Sequence, residues 1–140
     1  SSKILSKVLD LPSAARILGR GLKPKQHNAA EEAEQAFERR GKLLDVGAGD
    51  GGVTEEISPL FEEVTATEVS RPCVWRMRQR GINAVKTDDL SSFESGGYDV
   101  VACFNVLDRC SHPRSLLSHL HRLARSDSGR VLLAVVLPFR

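Results

Sequence analysis

The run Leu44-Asp45-Val46-Gly47-Ala48-Gly49-Asp50-Gly51 constrains this chain more than any other segment. An apolar run that breaks into closely spaced glycines is the strand-to-helix turn of an α/β domain. There the chain must turn sharply and let its backbone approach a ligand. Glu68 closes the next strand-like run about twenty residues on, the distance at which a carboxylate meets a ribose diol and can accept both of its hydrogen bonds. The pair predicts an α/β domain that holds a nucleoside.

The pattern from Lys42 onward agrees, because strand, loop and helix alternate. Strands are predicted at Lys42–Val46, Glu63–Thr67, Asn83–Thr87, Tyr98–Phe104 and Arg130–Leu137. Tyr98–Phe104 is a continuous apolar run, as in strands buried on both faces of a parallel sheet. The helix after the glycines should end near Ser58, since Pro59 disfavours helical geometry in the residue before it. A second helix spans Pro72–Arg80, with Gly81 as its stop. Ser111 and Pro113 open a third, whose Leu116, Leu117, Leu120, Leu123 and Ala124 form one stripe. Five strands alternating with helices make a Rossmann-like, doubly wound parallel sheet with right-handed crossovers and a ligand crevice at the carboxyl ends of the strands. At 140 residues one core suffices.

Residues 1–40 differ in character and are expected to form an N-terminal helical segment ahead of a core over residues 41–140. Ile4, Leu5, Val8 and Leu9 recur at helical spacing until Pro12; Ala14–Leu18 is a second short helix, and Lys23-Pro24-Lys25 a linker. Asn28 with Glu31 resembles a capping box for a helix through Ala33, Ala36 and Phe37 that Gly41 ends, with Glu31 to Arg40 as its solvated face. A net charge of +2 implies no polyelectrolyte partner, so no nucleic acid is expected. Cys73, Cys103 and Cys110 form no C-x-x-C and an odd set, which suggests free thiols in a reducing environment. The longest apolar run, Val131–Leu137, is strand length, so no transmembrane segment is expected. The chain starts with Ser rather than Met, which suggests a trimmed or partial product, so an upstream targeting segment could be missing and the compartment is not readable from the sequence. A monomer is expected.

Which nucleoside is bound depends on the residues around the glycines. Gly47 to Gly52 fits G-x-G-x-x-G of dinucleotide sites and, with Asp45, the D-x-G-x-G-x-G loop of S-adenosylmethionine-dependent methyltransferases. The methyl donor is favoured by Asp45 ahead of the loop, by Asp50 where a pyrophosphate would be repelled, and by Asp88 or Asp89, placed to bind the adenine amino group. A nicotinamide oxidoreductase is further disfavoured by the absence of a Tyr-x-x-x-Lys pair. The competing readings are a tight turn without a ligand, and a Glu68 that caps the helix beginning near Arg71.

After the fourth strand comes Phe104-Asn105-Val106-Leu107-Asp108-Arg109-Cys110, unusually polar behind a buried strand. Asn105 and Asp108 are the residues placed nearest the chemistry. The plainer alternative is that Asn105 turns the chain while Asp108 pairs with Arg109 or caps the next helix. His119-Leu120-His121 reads as two solvated helix histidines, because residues two apart on a helix do not share a face. Pro72-Cys73 reads as inert packing, and Trp75 and Met77 as cover for the adenine-side core. No metal site is expected.

Several stretches together resemble one family: Leu43 to Gly51, Ser58-Pro59-Leu60-Phe61-Glu62-Glu63, Ala66-Thr67-Glu68, Asn105-Val106-Leu107-Asp108-Arg109-Cys110 and Leu133-Ala134-Val135-Val136-Leu137-Pro138-Phe139. They are similar to the DREV, or methyltransferase-like protein 9, family of protein-histidine methyltransferases, over residues 42–140. The short element Leu18-Gly19-Arg20-Gly21 also resembles one upstream of that family's domain. The resemblance implies methyl transfer from S-adenosyl-L-methionine to the pros nitrogen of histidine in His-x-His segments of target proteins. Carried over by position, it implies that Glu68 binds the cofactor ribose, that Asn105 contacts cofactor and substrate, and that Asp108 faces the target imidazole. With the residues read from the loop and the strand ends, the expected cofactor-binding set is Asp45, Gly47, Ala48, Gly49, Glu68, Asp88 and Asn105, and the catalytic pair Asp108 and Asn105. Asp88-Asp89 departs from the amide-then-acid expected there. Family members also continue beyond the equivalent of Phe139, so the fifth strand is expected to be an exposed edge, and part of the acceptor pocket to be absent. A non-catalytic cofactor-binding or scaffold module is the alternative from another class.

Overall fold

A computed structural model describes residues 40–136. The helical segment expected over residues 1–40 lies outside the described residues, apart from Arg40, which opens the first strand. In order come β1 (Arg40–Val46), α1 (Gly52–Ile57), a 3-10 turn (Ser58–Leu60), β2 (Phe61–Glu68), α2 (Arg71–Gln79), β3 (Asn83–Lys86), β4 (Val100–Phe104), α3 (Pro113–Leu123) and β5 (Arg130–Ala134). The five strands form one sheet in the order β3-β2-β1-β4-β5, every pair parallel. This is the doubly wound sheet expected from the alternation of elements.

Strand order reverses between β1 and β4, and that reversal is the switch point at which such sheets open a crevice. The central strands are apolar because both faces are covered: Leu43, Leu44, Val101, Ala102 and Cys103 are fully buried. On one face Leu44, Val46, Val101 and Cys103 pack against Leu120 and Leu123 of α3 and against Leu90. On the other, Ala66 and Ala84 meet Val74 and Met77 of α2 and Ile82.

The structure revises several boundaries and burial expectations. β4 begins at Val100 rather than Tyr98, which makes only an isolated bridge with Ala124. The intervening Asp99 is occupied otherwise. Its backbone N–H donates to Lys42 O (2.9 Å) and its C=O accepts from Arg130 N–H (2.9 Å). Its carboxylate accepts from Lys42 N–H at 2.7 Å and pairs with Arg125 Nε at 3.1 Å. Asp99 therefore ties β1, β4 and β5 together at the end opposite the glycine loop. β5 stops at Ala134, and as expected it is an edge strand, with Leu133 exposed.

Leu117 is exposed, not part of the α3 stripe, because it lies about 90° around the helix from the centre of Leu116, Leu120 and Leu123. Trp75 likewise is 63% exposed instead of covering the core. Val74 and Met77, three residues apart, take the buried face of α2, and Trp75 is about 130° from its centre. Among the described residues, no helix is long and apolar enough to cross a membrane.

Candidate cofactor cleft

The glycine loop, the end of β2, the loop after β3 and the segment after β4 surround a cleft of about 870 Å³ at the carboxyl ends of the strands. The loop owes its shape to backbone conformations that side chains resist: φ is +68° at Gly47, +63° at Gly49 and +82° at Gly51. At Gly47 there is a second reason, since a Cβ would stand 2.5 Å from Cγ2 of Val106. The two loops of the switch point pass too closely for a side chain there.

The loop is clamped to the end of β2. Ala48 N–H donates to Thr67 O at 3.0 Å, and Gly49 N–H donates to Glu68 Oε2 at 2.9 Å. Glu68 Oε1 accepts from Val69 N–H (2.8 Å) and Ser70 N–H (3.0 Å). The carboxylate therefore orders the turn ahead of α2 while also facing the cleft; it does not cap the helix, whose N-cap is Ser70, with no side-chain capping hydrogen bond. Three of its roughly four acceptor positions are taken. One remains for a ribose hydroxyl, so it can accept both hydroxyls only if one backbone bond yields.

Asp45 lines the floor of the cleft at 1% exposure. Its Oδ2 accepts from the Thr54 hydroxyl at 2.6 Å, and its Oδ1 has no partner. Burial pushes its carboxyl up to about 6, against a partial offset from the Thr54 hydrogen bond. An orphaned, desolvated carboxylate oxygen in a cleft fits a cationic ligand. The other acids of the lining, Glu68, Asp88 and Asp89, add to that negative field, against one fixed cation, Arg109. The sulfonium and ammonium of S-adenosyl-L-methionine suit this charge; the pyrophosphate of a nicotinamide cofactor would meet four carboxyl groups.

The proton on Asp45 has a measurable consequence. Its folded pKa lies above the ordinary aspartate value of 3.8, so the folded state holds the proton to higher pH than the unfolded chain does. The stability this proton lends is fully present below about pH 4 and is lost as pH rises through about 6, about 2–3 kcal/mol in all. Asp45→Asn should abolish that slope, read by urea unfolding at pH 4.5 and pH 8. An equal effect of the substitution at both pH values would refute the assignment. Cys103 is also buried, and its thiol is pushed up to about 11, chiefly by desolvation, so it stays protonated at neutral pH.

The structure places the other candidate residues unevenly. Gly47, Ala48, Gly49, Asp88 and Asn105 all line the cleft. Asp89 lines it too, but its Oδ1 accepts from Ser91 N–H at 2.9 Å, whereas Asp88 accepts no hydrogen bond from the described residues. Asn105 adopts φ +57°, a left-handed conformation that asparagine tolerates, and its N–H donates to Ala134 O at 2.7 Å. It thus both turns the chain and faces the cleft.

Two carboxylates stand elsewhere than expected. Asp50 is exposed and does not line the cleft; its Oδ1 accepts from Gly52 N–H at 3.1 Å, as residues entering a helix do. Asp108 is also absent from the lining. Arg109 N–H donates to Val106 O at 3.0 Å, and this tight turn brings Arg109 to the cleft and leaves Asp108 beside it, 3.8 Å from Arg109 Nε.

Sequence reasoning also missed one wall. His112, Ser115, Leu116 and His119 face the cleft from the start of α3. Their i, i+3, i+4, i+7 spacing was the available signal. His119 is therefore a half-buried wall residue rather than a solvated one, while His121 is exposed as expected. Among the described residues no group of His, Cys, Asp and Glu could hold a metal ion.

Comparison with known proteins agrees with this geometry. The ubiquinone biosynthesis O-methyltransferase of Xanthomonas oryzae pv. oryzae (strain PXO99A) is 27% identical over 103 residues, covering 68% of this chain and 43% of the relative. The protein of the same name from Bordetella avium is 26% identical over 84 residues, 54% of this chain and 35% of the relative. The chain thus spans less than half the length of these curated relatives. A SAM-dependent methyltransferase from Aquifex aeolicus superposes with a TM-score of 0.53 at 21% identity, covering 69% of this chain and 58% of that one. The methyltransferase CalH, solved with S-adenosylhomocysteine, gives 0.55 at 25% identity, covering 65% and 30%. The sheet is that of class I methyltransferases, whose cofactor is S-adenosyl-L-methionine. With residues 23–140 matching the profile of DREV methyltransferases, the chain belongs to the DREV methyltransferase family.

Proposed function

We propose that this protein transfers a methyl group from S-adenosyl-L-methionine to the pros nitrogen of histidine in His-x-His segments of target proteins. The observation that carries the reading is the polar segment Asn105 to Cys110, set directly behind the buried β4 and contributing Asn105, Val106, Arg109 and Cys110 to the cleft of a DREV-family chain. Bound in that cleft, the cofactor supplies an electrophilic methyl group on a sulfonium. The residues of the chain do the rest. Asp45 holds negative charge beneath the cationic end, the free acceptor position of Glu68 takes a ribose hydroxyl, and Asp88 receives the adenine amino group.

Neutral imidazole is already a competent nucleophile near pH 7, so the chemistry needs orientation more than a strong base. A carboxylate that accepts the N–H of one ring nitrogen fixes the tautomer, aims the other nitrogen's lone pair and stabilises the imidazolium that forms. We assign this role to Asp108, which lies outside the cleft lining, 3.8 Å from Arg109 Nε, and would have to turn towards the bound acceptor to serve it. Asn105, at the bottom of the same segment, contacts cofactor and acceptor together.

The test is incubation of the full-length protein with labelled methyl donor and three acceptors: a His-x-His peptide, the same peptide with both histidines replaced by Gln, and a catechol. Label should enter the first alone, at the pros nitrogen. Transfer to the catechol oxygen instead would favour O-methylation, the reaction for which the curated relatives are named, and cofactor binding without any transfer would favour a scaffold. Asp108→Asn should lower turnover of the peptide about tenfold or more, with cofactor affinity intact. Near-normal turnover of that variant would remove Asp108 from the mechanism.

A further inference from the structure

Arg122 lies outside the cleft, yet it holds together the two walls between which the adenine would sit. It follows Ser115 and His119 on α3 at i, i+4 and i+7, so the three share one face. Ser115 and His119 line the cleft; Arg122 does not. Its guanidinium reaches the loop after β3 instead. Nη1 donates to Phe93 O (3.1 Å) and Ser95 Oγ (2.7 Å), and Nη2 donates to Leu90 O (2.7 Å). Its backbone C=O accepts from Gly96 N–H at 2.8 Å. One residue therefore fixes the loop at four points.

That loop carries Asp88 and Asp89. Its upstream end is held where Thr87 N–H donates to Glu68 O at 3.1 Å, and its downstream end where Leu90 is buried against Leu120 and Leu123 beneath the Arg122 fork. Only Asp88 and Asp89 lie between those anchors. We infer that Arg122 is a positioning residue that sets the base selectivity of the cofactor site, by holding the Asp88 carboxylate where an amino group at purine position 6 must donate to it. This rests on the proposed reading of the cleft.

The chemistry of discrimination is simple. Adenine presents a donor at position 6, whereas hypoxanthine presents an oxygen that would face a carboxylate with no proton between them. A rigid loop enforces that mismatch. A loop free to shift lets the carboxylate withdraw and lets water enter, which narrows the difference. Lysine cannot replace the fork, because a single ammonium cannot reproduce two guanidinium nitrogens set on separate carbonyls.

The test compares binding of S-adenosylhomocysteine and S-inosylhomocysteine, by calorimetry, to the full-length protein and to Arg122→Lys and Ser95→Ala. The unsubstituted protein should prefer the adenine form, and Arg122→Lys should shrink that preference about tenfold, the equivalent of about one hydrogen bond. Ser95→Ala, which removes one exposed contact, should shrink it less. A lower melting temperature with an unchanged ratio of affinities would overturn the inference and leave Arg122 a stabilising residue only. If the unsubstituted protein bound neither compound, the cofactor reading of the cleft would fall, and this inference with it.

Discussion

Gly51→Ala should remove about 3–5 kcal/mol of folding free energy, combining backbone strain at a left-handed position with overpacking of a filled core. Gly51 is buried with φ +82°, and a Cβ there would stand 2.5 Å from Met77 Cγ and 3.0 Å from Ile82 Cδ1. Met77 is fully buried, and both belong to the cluster that seats α2 on the sheet. Gly81 provides the control, since its φ is +76° but a Cβ would meet nothing within 4 Å. Gly81→Ala should therefore cost only the strain, about 1 kcal/mol. Urea unfolding of the two variants separates the terms, and equal losses would mean that close packing beneath the loop is not what requires a glycine at position 51.

Glu68→Ala is the second large effect, and it acts on affinity. The substitution removes the acceptor for Gly49, Val69 and Ser70 N–H and the carboxyl that faces the cleft. Hydrogen bonds to a charged group contribute about 1.5–3 kcal/mol each. Losing the ribose bond along with the clamp on the loop should weaken S-adenosylhomocysteine binding about 100- to 1000-fold. Glu68→Gln should fall between, because its oxygen can still accept while its amide NH2 faces backbone N–H groups. Calorimetric titration decides the matter: a tenfold change or less for Glu68→Ala would show that the loop holds its shape without the carboxylate.

The architecture was legible because it is written in periodicity and in residues with few conformational options. Runs such as Leu43-Leu44 and Val100 to Cys103 are apolar on both faces only in a covered parallel sheet, and the glycines stand where φ is positive. The edges were less legible. Tyr98 has strand propensity, but the neighbouring Asp99 is engaged by Lys42, Arg125 and Arg130, contacts that lie far apart in sequence. In the site, residues carried by the backbone path fell where expected, from Asp45 to Glu68, Asp88 and Asn105. Residues whose placement depends on how a turn closes did not. One hydrogen bond, from Arg109 N–H to Val106 O, decides that Arg109 and not Asp108 meets the cleft. The α3 wall was missed for another reason: its apolar stripe hid a second, polar row on the same helix.

The Asp99 knot bears on how such a domain can change over time. A parallel sheet has no hairpin turns to set the register of its strands, and a slip of one residue would send every side chain to the wrong face. Here β1, β4 and β5 are pinned by one carboxylate and its backbone at the end remote from the cleft. The loops at the other end are thereby relieved of alignment duty. Insertions and substitutions around the acceptor side can accumulate without shifting the frame beneath them, so the place to look for intolerance to drift is the quiet end of the sheet, far from any chemistry.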